Sequence, residues 1–124
     1  MTTEDRLQIS CVRWFRYQYP ALAKMLIHCP NGGSRNLIEA TKLKNMGVTA
    51  GVSDLILLVQ RHGYGCLCIE LKDGKKGKQS KAQHEWEMNA LTFGNKYVIC
   101  RSFDEFQQEI NSYLTDKNHD NPRI

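Results

Sequence analysis

The sequence predicts an α/β domain with a mixed central β-sheet flanked by helices, and three observations carry that reading. Two apolar runs, Asp54 to Gln60 and Gly65 to Leu71, flank the glycine-containing break His62-Gly63 and read as a β-hairpin. Three segments with helical apolar spacing open on residues that cap helices, at Thr2 or Thr3, Ser80 and Ser102. Strand-like and helix-like segments then follow each other in the order helix, strand, helix, strand, strand, helix, strand, helix, which sets helices against a sheet. A length of 124 residues suits one domain, here residues 1–115, with a polar tail over 116–124.

Taken in order, the first helix runs to about Tyr19, where Pro20 stops it. At 100° per residue, Leu7, Cys11, Trp14 and Phe15 share an apolar stripe, Glu4 and Gln8 lie at its edge, and Arg6, Arg13 and Arg16 fall on the far side. Met25 to Cys29 reads as a short strand, followed by the turn-rich loop Asn31-Gly32-Gly33. Asn36 to Met46 makes a short helix closed by Gly47. After the hairpin and a lysine-rich loop, Ser80 and Gln83 form a capping box for a helix through Phe93, on which Trp86, Ala90 and Phe93 share a face. Lys96 to Arg101 is the next strand, and Ser102 with Glu105 opens a last helix reaching about Leu114.

Composition narrows the function classes. The hydrophobic share of 41% and charged share of 24% are those of a soluble globular protein, and no apolar run has the length of a membrane span. The first ten residues lack a basic, then apolar, signal region, so a cytoplasmic location is expected. Five cysteines, Cys11, Cys29, Cys66, Cys68 and Cys100, make no CxxC pair and read as reduced core residues. The four histidines are scattered without metal spacing, and no GxSxG or HExxH is present. Residues 74–80, GKKGKQS, lack the GxxxxGK[ST] spacing of a phosphate loop, so no nucleotide cofactor is expected.

Chemistry concentrates at the outer end of the hairpin. With the turn at residues 62–63, paired numbers sum to about 125, which sets Asp54 opposite Glu70, Leu71 or Lys72. Glu70 and Lys72 then point to one face of the strand, Leu67, Ile69 and Leu71 to the other. Two readings fit this cluster. One is a surface ion cluster, worth only ~0–1 kcal/mol. The other is a divalent cation held by two hard carboxylates and a backbone carbonyl, as Mg²⁺ or Mn²⁺ prefers. The net charge of +4 is modest, but Lys75, Lys76, Lys78 and Lys81 follow directly and suit either a solvated loop or a polyanion backbone.

Asp opening one strand and Glu-x-Lys closing the next resembles the PD-(D/E)XK nuclease superfamily, with its restriction-endonuclease-like core. The first helix with Glu4 and Gln8, the loop Asn31-Gly32-Gly33, the segment Gly47 to Asp54, then Ile69-Glu70-Leu71-Lys72 and Ser80 to Gln83, in that order, resemble its VRR-NUC branch. The likeness spans residues 4 to about 106. Ser53 departs from it, since proline usually precedes the aspartate there.

The resemblance implies metal-dependent hydrolysis of DNA phosphodiesters. Asp54, Glu70 and the Leu71 carbonyl would hold Mg²⁺ or Mn²⁺, and Lys72 would act on the attacking water. Glu4 would serve as a ligand through water or at a second metal, and Gln83 would hold Lys72 or the water. Arg35, Lys75, Lys76, Lys78 and Lys81 would contact the DNA backbone. Small standalone members of this branch, typically phage encoded, resemble homodimeric Holliday-junction resolvases. The expectation is therefore a structure-selective endonuclease on branched DNA, acting in the cytoplasm of a phage host. A flap or fork nuclease, or a non-catalytic DNA-binding accessory protein, are the rivals. The helix at 36–46 and the last helix are the candidate dimer contacts.

Overall fold

The computed structural model describes residues 1–30 and 36–115. The loop Asn31-Gly32-Gly33, Arg35 and the tail 116–124 lie outside the described residues. Helix α1 spans Thr3–Gln18, and Thr2 caps it in a box with Asp5: the Thr2 hydroxyl accepts from Asp5 N at 3.0 Å and the Asp5 carboxylate accepts from Thr2 N at 2.9 Å. Those two bonds also hold the Asp5 carboxyl below its ordinary pKa. Pro20 ends α1 as expected, but the chain then makes a 3₁₀ turn over Pro20–Met25 that apolar periodicity does not reveal. Strand β1 (Leu26–His28) and helix α2 (Leu37–Asn45, capped by Asn36) follow.

Strands β2 (Leu55–Leu57) and β3 (Leu67–Leu71) form the expected antiparallel pair. His62 and Gly63 both have positive φ, 54° and 82°, which gives the hairpin a turn whose twist matches its strands. Pairing slips by one residue between the turn, where Arg61 meets Tyr64, and the sheet, where Leu57 meets Leu67. The extra residue is a bulge on the first strand, and it carries the register of Leu55 with Ile69 on to Asp54 against Glu70.

Helix α3 (Lys81–Thr92), strand β4 (Lys96–Cys100) and helix α4 (Phe103–Leu114) complete the fold. The sheet order is β1-β2-β3-β4, antiparallel except that β3 and β4 run parallel, connected through α3. This is the mixed sheet with flanking helices that the sequence predicts.

Strand alternation divides the interior in two. Leu55, Leu57, Leu67, Ile69 and Leu71 pack against Cys11 and Phe15 of α1 and Phe106, Ile110 and Tyr113 of α4, all buried. Trp14 stands edge-on to Phe103 and Phe106, at ring separations of 6.3 and 6.0 Å, and joins the two helices. On the other face the buried apolar side chains among the described residues are Cys68, Ala90 and Tyr97, with Cys66, Trp86 and Ile99 at their margin. Phe93, expected to share the packed face of α3, is 78% exposed, because the helix ends at Thr92 and Phe93 is its C-cap. All five cysteines are free thiols, and burial pushes those of Cys11, Cys68 and Cys100 up to about 12.

Candidate active site at the end of the hairpin

The end of β3 lies between the N-termini of α1 and α3. On β3, Glu70 is 1% exposed and Lys72 9%, so neither is a surface charge. Each has partners that explain why it is tolerated. Glu70 Oε1 accepts from Gln83 Nε2 at 3.2 Å, and Glu70 Oε2 from the Tyr97 hydroxyl at 3.3 Å. Lys72 Nζ donates to Gln83 Oε1 at 3.0 Å.

Gln83 does two jobs at once. Its Oε1 also accepts from Ser80 N at 2.8 Å, closing the capping box in which Ser80 Oγ accepts from Gln83 N at 3.1 Å. The sequence alone leaves capping and a place beside Lys72 as alternatives; the same carboxamide does both. Gly51 sets the distance between this helix start and the hairpin. With φ at +84°, it lies so close to α3 that a Cβ there would stand 2.2 Å from the Ala82 carbonyl oxygen.

Asp54 enters from β2. Its Oδ2 accepts from Leu71 N at 2.7 Å, tying the carboxylate to the end of β3 beside Glu70. Its backbone carbonyl accepts from Cys29 N at 3.2 Å and from His28 Nδ1 at 2.7 Å. A carbonyl only accepts, so His28 Nδ1 carries a proton and donates it. Ser53, fully buried, donates from Oγ to the Leu55 carbonyl at 3.1 Å and so shapes the entry to β2 where proline is usual.

Burial raises the Glu70 carboxyl most, and its hydrogen bond to Asp54 and the charge of Asp54 add to this. Lys72 and Tyr97 oppose, and the net result is a pKa of about 9. Glu70 thus keeps its proton at neutral pH beside Asp54. The Tyr97 phenol beside them is itself raised by burial.

A cleft of about 450 Å³ opens onto this corner, lined among others by Glu4, Gln8, His28, Asp54 and Leu71. Glu4 and Gln8, placed by the sequence at the inner edge of the first helix, therefore look into the same cleft as Asp54. Glu4 is exposed, and among the described residues no three His, Cys, Asp or Glu side chains are close enough to ligate one ion. A cation here would have two carboxylates and the Leu71 carbonyl from the protein, with the rest of its shell from water or substrate. That hard, incomplete oxygen set is the one Mg²⁺ and Mn²⁺ accept.

The lysine loop leaves the corner directly after Lys72. Arg101 holds it in place, donating from Nη1 to the carbonyls of Gly74 at 3.0 Å and Gly77 at 2.7 Å. Lys75, Lys76 and Lys78 in the loop and Lys81 at the start of α3 are exposed.

A solved structure named "VRR_NUC domain protein" is similar to this chain, with 30% sequence identity and a TM-score of 0.80 over 92% of this chain and 89% of that one. The chain belongs to the VRR-NUC family. No protein-family model and no curated protein matches it. As a VRR-NUC protein it has a nuclease fold, and the family generally uses divalent metals. Two neighbours within this candidate site escape a reading of the sequence. Tyr97 reaches Glu70 only because β4 pairs in parallel with β3, Cys68 against Tyr97. His28 reaches Asp54 only because β1 adds to the free edge of β2. Neither pairing leaves a local trace in the chain.

Proposed function

We propose that this VRR-NUC protein is a Mg²⁺- or Mn²⁺-dependent, structure-selective DNA endonuclease that cuts branched DNA, with four-way junctions as its substrate. The observation that carries the proposal is the cluster of buried Glu70 and Lys72 with part-buried Gln83 and Asp54, the last of which lines a cleft. A surface ion cluster needs no such burial or shared carboxamide.

Asp54, Glu70 and the Leu71 carbonyl would hold the metal, which when bound would supply Lewis-acid polarisation of the scissile phosphate and a lowered pKa of water. Lys72, fixed by Gln83, orients the attacking water and offsets negative charge on the phosphorane. The capping bonds of Gln83 and the close approach at Gly51 hold that ammonium in place, so little reorganisation is needed in the transition state. Glu4 acts through water from across the cleft. The exposed lysines Lys75, Lys76, Lys78 and Lys81, with Arg35, contact phosphates and position DNA without reading bases.

Branched substrates favour a two-fold dimer with two sites. The apolar face of α4 is already buried on the sheet, through Phe106, Ile110, Tyr113 and Leu114. Helix α2 and its exit instead leave Leu37, Ile38 and Met46 72–84% exposed, and this is the surface proposed for the second copy.

The test is purified protein with labelled four-way junction, flap and linear duplex, with and without Mg²⁺. Paired symmetric cuts in the junction are expected, abolished by Asp54→Asn and by Lys72→Ala. Cleavage that survives in both variants would sink the assignment, and preference for the flap would make it a flap nuclease.

A further inference from the structure

A second groove continues the catalytic cleft along α1. It has a volume of about 370 Å³ and is lined by Gln8, Ile9, Val12, Arg13, Arg16 and His28. Gln8, Ile9 and His28 also line the cleft that holds Asp54, so the two form one channel. Their chemistry differs along its length. Glu4, Asp5 and Asp54 make the catalytic end acidic, whereas Arg13 and Arg16 make the far end basic. Both arginines are exposed, and neither has a hydrogen bond or ion pair among the described residues.

On the helical wheel these two arginines fall away from the α1 stripe that packs on the sheet. The short edge strand β1 changes their surroundings. His28 at its end stands alongside α1 and turns the flank of the helix into one wall of a groove.

We propose that this groove is a phosphate subsite for the DNA strand leaving the metal centre, with Arg13 and Arg16 gripping phosphates beyond the scissile one. The inference rests on the proposed nuclease function and adds to it a path for the strand. Guanidinium forks suit phosphate oxygens, and Arg is less strongly hydrated than Lys, which favours partly enclosed contacts. Three residues of helix place Arg16 about 4.5 Å further along the axis than Arg13. A DNA strand carries one phosphate per ~3.4 Å of its own axis, so the two side chains can meet different phosphates. The floor between them, Ile9 and Val12, is apolar and makes no demand for base hydrogen bonds. The subsite therefore reads backbone and not sequence.

The experiment measures binding of a fluorescent branched duplex by anisotropy across a salt series, in an Asp54→Asn background that does not cut. Replacing both arginines, Arg13→Ala with Arg16→Ala, is expected to weaken binding at least tenfold. The slope of log affinity against log salt should fall by about 1.8, at ~0.9 per lost phosphate contact. Arg6→Ala on the same helix removes one such charge outside the groove and should change affinity less than twofold. Mn²⁺ binding by calorimetry, in otherwise wild-type protein, should be unaltered by the arginine pair.

Unchanged affinity and slope in the double variant, with loss on Lys75→Ala and Lys76→Ala, would overturn the subsite and leave DNA on the lysine loop alone. Equal losses per charge in Arg6→Ala and the arginine pair would also overturn it, as a net-charge effect. Wild-type protein that neither binds nor cuts DNA overturns the nuclease function, and the subsite with it.

Discussion

The two faces of the sheet do opposite work. One is covered by α1 and α4 and filled with leucine, isoleucine and phenylalanine, none offering a polar atom. The other is covered, among the described residues, by α3, and its buried apolar set there is Cys68, Ala90 and Tyr97. Glu70 and Lys72 lie on this thinner side, buried yet fully engaged with Gln83 and Tyr97. The thick face supplies stability through apolar area. The thin face gives up some of that area to keep charges dry and aimed, which is what electrostatic catalysis requires.

This contrast can be broken from either side. Phe106→Ala empties a fully buried position on the thick face and should cost about 3–5 kcal/mol in urea unfolding. Metal binding by the fraction that remains folded should be unaffected. A loss below about 1 kcal/mol would show that α4 contributes little to the core.

Gly51→Ala acts on the thin face through the backbone. It introduces both a positive-φ penalty and a Cβ against the Ala82 carbonyl, so α3 must move. Destabilisation of more than about 1 kcal/mol is expected, together with loss of cleavage out of proportion to it, because Gln83 moves with the helix. Normal cleavage by this variant would show that Gln83 does not need its present place.

The Glu70 carboxyl makes stability depend on pH. Below pH 4.5, the ordinary value, it is protonated in folded and unfolded chains alike, and its contribution to stability is fully present. Between 4.5 and about 9 only the folded chain keeps the proton, so metal-free stability should decline as pH rises and the contribution be lost beyond about 9. Glu70→Gln should flatten that slope. A divalent cation competes with the Glu70 proton, so calorimetry in two buffers of different ionisation heat should show proton release on Mn²⁺ binding. A buffer-independent heat at pH 7 would mean that Glu70 is already ionised.

The smallest effect is expected for Gln83→Ala. Its fold cost should be about 1–2 kcal/mol, for the lost cap and an ammonium left without a partner. Its cleavage defect should be the larger of the two, read as a fall in kcat with little change in KM.

Much of this architecture is legible in the chain because it is local. The capping residues Thr2, Ser80 and Ser102 all act within three residues of themselves, and their bonds form where the chain predicts them. Glu105 shows the limit of such reading. It was expected to complete a box with Ser102, yet its carboxylate accepts from Arg101 N at 2.9 Å, one residue earlier. The turn at His62-Gly63 is local too, and it sets the hairpin register to within the one residue that the bulge absorbs.

What escapes the sequence is set by contacts between distant segments. The positions of Tyr97 and His28 follow from how β4 and β1 add to the hairpin, and strand addition is decided by the burial of whole faces, not by any nearby residue. Arg13 and Arg16 read as plain solvated charge until β1 comes alongside α1 and makes a wall. The chain by itself thus determines the hairpin, the helix starts and the carboxylates and lysine at the strand end, because short-range sterics and hydrogen bonds suffice for them. Only the tertiary structure decides that Glu70 is dry, that one carboxamide serves both cap and ammonium, and that the acidic cleft runs into a basic groove, because each depends on what the packed sheet excludes from water.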